Sequence, residues 1–237
     1  MDDTLPPFEV FEPLLTSIVD VTHEGTALRF LVANPFDYIQ AHHARGELYE
    51  PASLALIAAH FPRGGSFVDI GAHVGNHAVF AARHLGAQEV IAFEPSLTAH
   101  TILTVNKALN NLTRFEIRKC ALADAPGEAI VATPALYHQG RNHLTDTGPG
   151  QRVEVTTGDL ALADRKVSFL KIDVEGHEMK VLRGLEQVVA QQQPPIFAEI
   201  RNTLRGELEA WCSARSYHIA ESVKQYQGEE NLLLLPL

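Results

Sequence analysis

From Ser66 onward, short apolar segments alternate with longer amphipathic ones, and this alternation restricts the fold more than any other feature. The short segments have the length and composition of buried strands, and the longer ones repeat apolar residues at helical spacing. We predict strands at 67–70, 90–93, 115–120, 167–173 and 195–200, and helices at 76–85, 97–109, 178–190 and 204–214. Strands that alternate with helices form a mostly parallel sheet with helices on both faces. The sequence therefore predicts a doubly wound α/β fold.

Two segments of this region depart from the alternation. Residues 217–223 and 232–235 both resemble strands, and no helix-length segment separates them, so we expect them to pair antiparallel. This C-terminal hairpin completes a predicted seven-stranded sheet. The stretch rich in Gly, Pro and Thr before the fourth strand predicts a further β-hairpin within residues 128–157.

The beginning of the chain predicts a small appendage to this fold. Strand-like residues 17–22 and 26–32 flank a glycine-containing turn, and residues 45–60 show helical spacing. We therefore divide the chain into an N-terminal hairpin and helix, residues 1–60, and a main domain, residues 61–237. The N-terminal part is suited to be a lid or a dimer contact, and both alternatives stay open.

Charge and composition restrict the partners. The chain has 19 Lys and Arg against 29 Asp and Glu, for a net charge of -10. A protein that neutralises a phosphate backbone normally has basic stripes, so this balance argues against nucleic acid as a substrate. The two cysteines lack paired spacing, and neither a leader peptide nor a membrane-length apolar stretch is visible. We expect a cytoplasmic protein that does not enter the membrane.

The most informative motif directly follows the first strand of the alternating region. It reads Asp69-Ile-Gly-Ala-His-Val-Gly-Asn-His77. In open α/β sheets, ligands bind beyond the carboxyl ends of the strands, where the strand order reverses. A dinucleotide site needs G-x-G-x-x-G, but His73 and Asn76 stand at the second and third glycine positions. A tight glycine turn with polar side chains is better suited to S-adenosylmethionine, which carries no phosphate.

A carboxylate follows the next strand, within Phe93-Glu94-Pro95. At the carboxyl edge of the sheet, it can accept hydrogen bonds from both hydroxyls of a ribose. A glycine turn and an acid on successive strands also occur in other α/β folds. The glycine spacing, Glu94 and the C-terminal hairpin together favour the S-adenosylmethionine interpretation.

Three stretches resemble the FkbM-type methyltransferase family, one of the Rossmann-like enzymes that use S-adenosylmethionine. They are Phe67-Val-Asp-Ile-Gly-Ala-His-Val-Gly-Asn, Ala92-Phe-Glu-Pro-Ser and Leu170-Lys-Ile-Asp-Val-Glu-Gly-His-Glu-Met-Lys-Val-Leu-Arg-Gly. The third is the most specific. Weaker matches are Gly46-Glu-Leu-Tyr-Glu50, Asn106, Asn110 and Ala121-Leu-Ala-Asp124. The resemblance covers roughly residues 45–237.

The resemblance implies S-adenosyl-L-methionine as the cofactor and S-adenosyl-L-homocysteine as its product. Asp69, Gly71 and Gly75 would form the turn on the methionine side, and Glu94 would hold the ribose. His73 stands where the family more often has asparagine. Either side chain can donate to the cofactor carboxylate, so we expect binding to be retained.

The same resemblance implies further contacts. Ala121 and Asp124 would face the adenine, and Asp173 would lie beside the transferring methyl group. The cofactor-binding candidates also include residues that lie in the matched stretches or directly after one of them. They are Glu50, Ala72, His73, Asn76, His77, Pro95 and Ser96.

Transfer of a methyl group to a hydroxyl requires an aligned acceptor and a group that removes its proton. The catalytic candidates are polar residues near strand ends or in the predicted insertion, namely Asp173, Glu175, His177, Glu199 and His143. Glu175 and Glu199 would raise one pKa if their carboxylates approach each other. Arg141, beside His143, is a candidate to bind an acidic group of the substrate, whereas Glu178 suits the positive end of a helix.

We therefore expect O-methylation of a small-molecule hydroxyl, on a sugar or another natural-product intermediate. N-methylation of a small molecule or RNA is one alternative, although Asp173-Val-Glu-Gly replaces the Asn/Asp-Pro-Pro-aromatic motif that would hold a planar amine. A non-catalytic cofactor-binding module is another, and the intact Glu94 and Asp173 argue against it. We predict no metal site, because the twelve histidines are spread over different elements. A homodimer is an open alternative.

Overall fold

The computed structural model describes residues 16–132, 143–145 and 147–237. The strands in these residues are β1 (Ser17–His23), β2 (Thr26–Val32), β3 (Ser66–Ile70), β4 (Glu89–Phe93), β5 (Phe115–Arg118), β6 (Ala121–Leu122), β7 (Gly127–Ala132), β8 (His143–Thr145), β9 (Gln151–Thr156), β10 (Phe169–Ile172), β11 (Ile196–Arg201), β12 (Tyr217–Tyr226) and β13 (Glu229–Pro236). The helices are α1 (Tyr38–Ala44), α2 (Pro51–His60), α3 (Asn76–Arg83), α4 (Leu97–Leu109), α5 (Gly158–Ala161), α6 (Glu178–Arg183), α7 (Glu186–Gln192) and α8 (Arg205–Arg215).

The central sheet has seven strands in the order β12-β13-β11-β10-β3-β4-β5. Strands β11, β10, β3, β4 and β5 pair parallel with one another in that order. Strand β13 lies antiparallel between β11 and β12, so the sheet is mixed. The C-terminal antiparallel hairpin is thus confirmed, although its strands extend well beyond the predicted 217–223 and 232–235.

Two predicted helices differ from the structure for local reasons. The helix expected over 45–60 begins only at Pro51, because Glu50 has the left-handed φ of 57° and Pro51 suits a first helical position. A separate helix, α1, precedes it and was not predicted. The helix expected over 178–190 is divided at Gly184, where a Cβ would lie 2.0 Å from the carbonyl oxygen of Ala123.

The insertion between β5 and β10 is more elaborate than the single hairpin predicted within 128–157. Strands β6, β9, β7 and β8 form a four-stranded sheet in that order, in which β7 pairs antiparallel with both β8 and β9. Strand β6 pairs parallel with β9. Arg141 lies outside the described residues.

Alternate residues of the central strands fill two hydrophobic clusters, as expected for a sheet covered on both faces. One cluster contains Ile70, Ile172 and side chains of α6, α7 and α8. The other contains Phe67 and Phe169, whose rings stack with centroids 5.6 Å apart, and side chains of α2, α3 and α4.

The N-terminal segment shares the second cluster. Leu28 and Phe30 of the β1–β2 hairpin are fully buried there. Asn106 of α4 accepts from the backbone N–H of Leu31 at 2.7 Å and donates to the Val74 carbonyl at 2.8 Å. This contact joins the hairpin, α4 and the loop that follows β3.

Among the helices in the described part of the chain, none combines the length and apolar content needed to cross a membrane.

Candidate active site at the carboxyl edge of the sheet

The loop after β3 requires glycine at two positions. Gly71 has φ 82°, and a Cβ on it would lie 1.8 Å from the carbonyl oxygen of Asp173. Gly75 has φ 91°, and a Cβ on it would lie 2.4 Å from Cδ1 of Leu103. The strand order reverses between β3 and β10, so this loop lies where open α/β sheets bind ligands.

His73 lies at the top of this turn. Its φ of 49° is a left-handed conformation that histidine and asparagine adopt more readily than most residues. Both ring nitrogens are buried, and neither has a hydrogen-bond partner within the protein. Since buried polar atoms are normally paired, the ring is suited to bind a polar ligand in the crevice.

Glu94 is held by backbone groups of the loops after β3 and β4. Its Oε2 accepts from the His73 N–H at 2.8 Å, and its Oε1 accepts from the Ser96 N–H at 2.8 Å. The side chain is buried, which raises its pKa, and the nearby His73 opposes that rise. Each carboxylate oxygen keeps a second acceptor position for a ligand hydroxyl.

A cavity opens between this loop and the insertion. Its lining consists of Ile39, Ile70, Gly71, His73, Phe93, Glu94, Pro95, Cys120, Ala121, Leu122, Val131, His143, Leu144, Asp173, Val174 and Glu175. The apolar part comes from both sheets, whereas the polar part comes from the loops after β3, β4 and β10 and from β8. Such an apolar pocket with a few converging polar groups is typical of a small-molecule site.

An ion-paired lysine lies beneath the cavity, and the sequence analysis assigned it no role. The Nζ of Lys171 lies 3.2 Å from Oδ1 of Asp69 and 3.4 Å from Oδ2 of Asp173, and it donates to the Gly71 carbonyl at 3.0 Å. Burial lowers the pKa of Lys171, but the negative charges of Asp69 and Asp173 oppose this effect, and the pKa is raised overall. The sequence signal for this ion pair is a lysine within an apolar strand, because a buried charge normally needs a partner of opposite charge.

Asp69 is fully buried and lies outside the cavity lining. Burial raises its pKa, and Lys171 opposes the rise. The carboxylate therefore supports the glycine loop through Lys171 instead of facing the cavity.

Three acidic side chains converge beside the cavity. An oxygen of each of Asp173, Glu175 and Glu199 lies within 4.8 Å of the others. Burial raises the pKa of Glu199 to about 10, and Asp173, Glu229 and Glu175 contribute. The structure thus brings Glu175 and Glu199 together, and the raised pKa favours the protonated form of Glu199 at neutral pH.

Glu50 and His77 form a buried pair under the same edge. Oε2 of Glu50 lies 3.5 Å from Nε2 of His77. Burial raises the pKa of Glu50 to about 7, with a contribution from Asp173, and burial lowers that of His77 well below its usual value. Neither side chain lines the cavity.

The loop after β10 is held by two further side chains. The Oε1 of Glu178 accepts from the backbone N–H groups of Gly176 at 2.7 Å and Val174 at 3.3 Å. The Nε2 of His177 donates to the Leu144 carbonyl at 3.1 Å. Glu178 and His177 therefore position the loop, and of the two histidines predicted to be catalytic, His143 lines the cavity.

Gln151 of β9, which the sequence analysis did not single out, connects the insertion to α4. It donates to the Pro95 carbonyl at 3.1 Å and accepts from the Leu97 N–H at 2.8 Å. The second bond satisfies a backbone donor that the first turn of a helix leaves open.

Besides Asp69, Glu50 and His77, the predicted cofactor contacts Asp124 and Asn76 also lie outside the cavity lining. Asp124 lies at the surface, where its Oδ2 is 3.4 Å from Nε of Arg183. The side chain of Asn76 is buried and bonded to both backbone groups of Tyr49 at 3.0 Å and to His43 at 3.1 Å. Local sequence could not show either partner, because each lies more than 25 residues away along the chain.

Of the remaining candidates, Ala121 and Pro95 line the cavity. Ala72 is buried in the loop after β3, and Ser96 contributes its backbone N–H to Glu94.

The chain is similar to known methyltransferases in sequence and in fold. Residues 69–219, more than half of the chain, match the model of the methyltransferase FkbM domain. The chain is similar in structure to the methyltransferase FkbM of Methylobacillus flagellatus, with a TM-score of 0.58, 17% identity, and coverage of 74% of this chain and 44% of that one. This structural likeness concerns the fold.

Two curated relatives are also similar in sequence. Methyltransferase 1 of Beauveria bassiana is 28% identical over 152 residues, covering 54% of this chain and 61% of the relative. The hexuronic acid methyltransferase AglP of Haloferax volcanii is 26% identical over 164 residues, covering 68% of this chain and 65% of the relative. The match thus spans less than two thirds of either relative. By the domain match, the chain belongs to the FkbM family of methyltransferases.

Proposed function

We propose that the protein uses S-adenosylmethionine to methylate a hydroxyl group of a small molecule. The observation that carries this proposal is Glu94, a buried carboxylate that two backbone N–H groups hold at the edge of the cavity. In a chain of this family, that carboxylate is suited to bind the ribose hydroxyls of the cofactor.

The residues present fit the cofactor. Glu94 would bind the ribose, and His73, with two unpartnered ring nitrogens, would donate to the cofactor carboxylate. The apolar part of the cavity, which includes Phe93 and Leu122, would accept the adenine. When bound, the cofactor supplies an electrophilic methyl group on sulfur.

Asp173 is the residue best placed to orient the acceptor and to take its proton. It lines the cavity at the end of β10, and Lys171 holds its carboxylate from below. His143 lines the cavity from β8 and is the second candidate base. A protonated Glu199 lowers the negative charge beside Asp173, so an acceptor hydroxyl can approach.

We propose a sugar or another hydroxylated natural product as the acceptor. The name of the Haloferax volcanii relative, a hexuronic acid methyltransferase, supports a sugar. The net charge of -10 supports a small molecule over nucleic acid.

A transfer assay tests this function. The protein is incubated with S-adenosylmethionine labelled in the methyl group and with a panel of uronic acids, neutral sugars and hydroxylated terpenoids, and products are identified by mass spectrometry. We expect a methyl ether, and we expect Asp173→Asn to lower kcat by about 10²-fold or more. The surface variant Asp20→Asn serves as the matched control. A product methylated on nitrogen would overturn the proposal, and full turnover by Asp173→Asn would contradict the assignment of Asp173 as the base.

A further inference from the structure

Two partly buried histidines and an exposed glutamate converge at a place outside the cavity lining. His23 ends β1, Glu24 begins the hairpin turn, and His84 follows α3. One ligand atom of each lies within 4.8 Å of the other two. We propose that His23, Glu24 and His84 form a binding site for a divalent transition metal ion, with Zn²⁺ the best fit.

The donor types support this metal. Imidazole nitrogen and carboxylate oxygen are ordinary zinc ligands, with metal–ligand distances of about 2.0–2.2 Å. Ligands at tetrahedral angles are then about 3.4 Å apart. Oε2 of Glu24 and Nε2 of His84 are already 3.4 Å apart, so this pair needs little movement to share an ion.

The ring of His84 is oriented for coordination. Its Nδ1 lies 3.1 Å from the hydroxyl oxygen of Thr26, and donation from Nδ1–H leaves Nε2 with a free lone pair. A second ring nitrogen bonded to a neighbour is typical of metal-binding histidines, because the bond fixes the tautomer and the ring orientation. The nitrogen left open is the one that faces Glu24.

Both imidazoles are also held by the same buried side chain. The ring of His84 stacks on Phe80 with centroids 5.0 Å apart, and the ring of His23 meets Phe80 edge-on at 5.4 Å. The two imidazoles lie 4.9 Å apart. Phe80 is 1% exposed and belongs to the core, so both ligands are positioned before any ion arrives.

The ion would connect two elements that are distant in sequence. The β1–β2 turn would be joined to the C-terminal end of α3, and the N-terminal end of α3 follows the glycine loop of the active site. Zinc is therefore expected to stabilise the folded chain, because a ligand that binds only the native state raises Tm.

The test is a titration of the untagged, chelator-treated full chain with ZnCl₂ by calorimetry, together with Tm measured with and without zinc. We expect one high-affinity Zn²⁺ per chain and a higher Tm. His23→Ala and Glu24→Gln should each weaken binding about tenfold or more, and Thr26→Val, which removes the bond to His84, should weaken it about tenfold. The matched control is His60→Ala, because His60 also contacts a glutamate, at 2.9 Å, without a second imidazole.

Glu24→Gln changes an exposed side chain in a turn, so it tests the site even if a histidine variant does not fold. Cobalt substitution gives a further measurement, a visible absorption band of tetrahedral Co²⁺ that should disappear in the same variants. The proposal would be overturned if the wild type binds Zn²⁺ no more tightly than His23→Ala and Glu24→Gln do.

Discussion

At the scale of single residues, the active site depends on backbone conformations that few side chains allow. Gly71 brings the end of β3 against the Asp173 carbonyl, and His73 takes a left-handed conformation above it. Glu94 then fixes the loop by accepting from the His73 N–H. The glycine loop is thus held mainly by backbone groups, and position 73 has a left-handed conformation that histidine adopts more readily than most residues.

Gly71→Ala tests this dependence against a matched glycine. Both Gly71 and Gly86 have positive φ, but a Cβ on Gly86 meets nothing within 4 Å, whereas one on Gly71 would overlap the Asp173 carbonyl. We expect Gly86→Ala to lower the free energy of unfolding by about 1–2 kcal/mol. Gly71→Ala should lower it by more and also abolish S-adenosylmethionine binding. Denaturant unfolding and calorimetry measure both effects, and equal losses in the two variants would contradict this account.

At the scale of elements, asparagine side chains join the N-terminal hairpin to the main fold. Asn106 bonds to Leu31 and Val74, and Asn110 bonds to both backbone groups of Arg29, at 2.9 Å and 2.7 Å. The backbone of β2 is therefore hydrogen-bonded to the side chain of Asn106 in α4 and to that of Asn110, which directly follows α4. These bonds give a structural role to Asn106 and Asn110, which are among the weaker matches to the family pattern.

Asn106→Leu is expected to destabilise the protein by about 2–4 kcal/mol, because the Leu31 N–H and the Val74 carbonyl lose their partner in a buried site. Thr104→Val, on the exposed side of the same helix, is the control and should change stability by less than about 0.5 kcal/mol. The measurement is urea unfolding followed by circular dichroism. A loss for Asn106→Leu as small as that for Thr104→Val would show that the hairpin is held by packing alone.

At the scale of the whole molecule, acidic side chains that follow β10 meet Glu199 of β11 at the carboxyl edge of the sheet. Glu199 has a pKa raised by burial and by Asp173, Glu229 and Glu175. A carboxyl whose folded pKa exceeds its unfolded pKa stabilises the native state fully below the unfolded value. That contribution is lost as pH rises towards the folded value.

Glu199→Gln should therefore gain stability relative to the wild type as pH increases from 5 to 8. The difference in unfolding free energy should grow by up to about 1.4 kcal/mol per pH unit, because the amide carries no charge that burial would penalise. Thermal and urea unfolding at several pH values measure this difference, with the surface variant Glu128→Gln as the control. A difference that is constant with pH would mean that Glu199 is not protonated in the native protein.

The sequence predicted the fold better than it predicted the site. Helix α4 has the predicted bounds, and the glycine loop and Glu94 meet at the expected edge, because these features depend on local spacing and on strand order. Lys171 was assigned no role, and Asn76 and Asp124 lie outside the cavity lining, because the partners of these side chains are brought near only in the folded chain. The four-stranded sheet of the insertion was missed for the same reason, because Ala121 of β6 pairs with Val155 of β9, which follows it by 34 residues.

The most direct test of the central claim is calorimetric titration with S-adenosylmethionine and S-adenosylhomocysteine, with NAD as the control. We predict a Kd of about micromolar order for both sulfur ligands and no binding of NAD. Glu94→Gln should weaken binding about tenfold or more, because a charge-assisted hydrogen bond contributes about 1.5–3 kcal/mol. Glu128→Gln should bind like the wild type. Binding of NAD in preference to either sulfur ligand, or unchanged affinity in Glu94→Gln, would contradict the placement of the cofactor at this edge of the sheet.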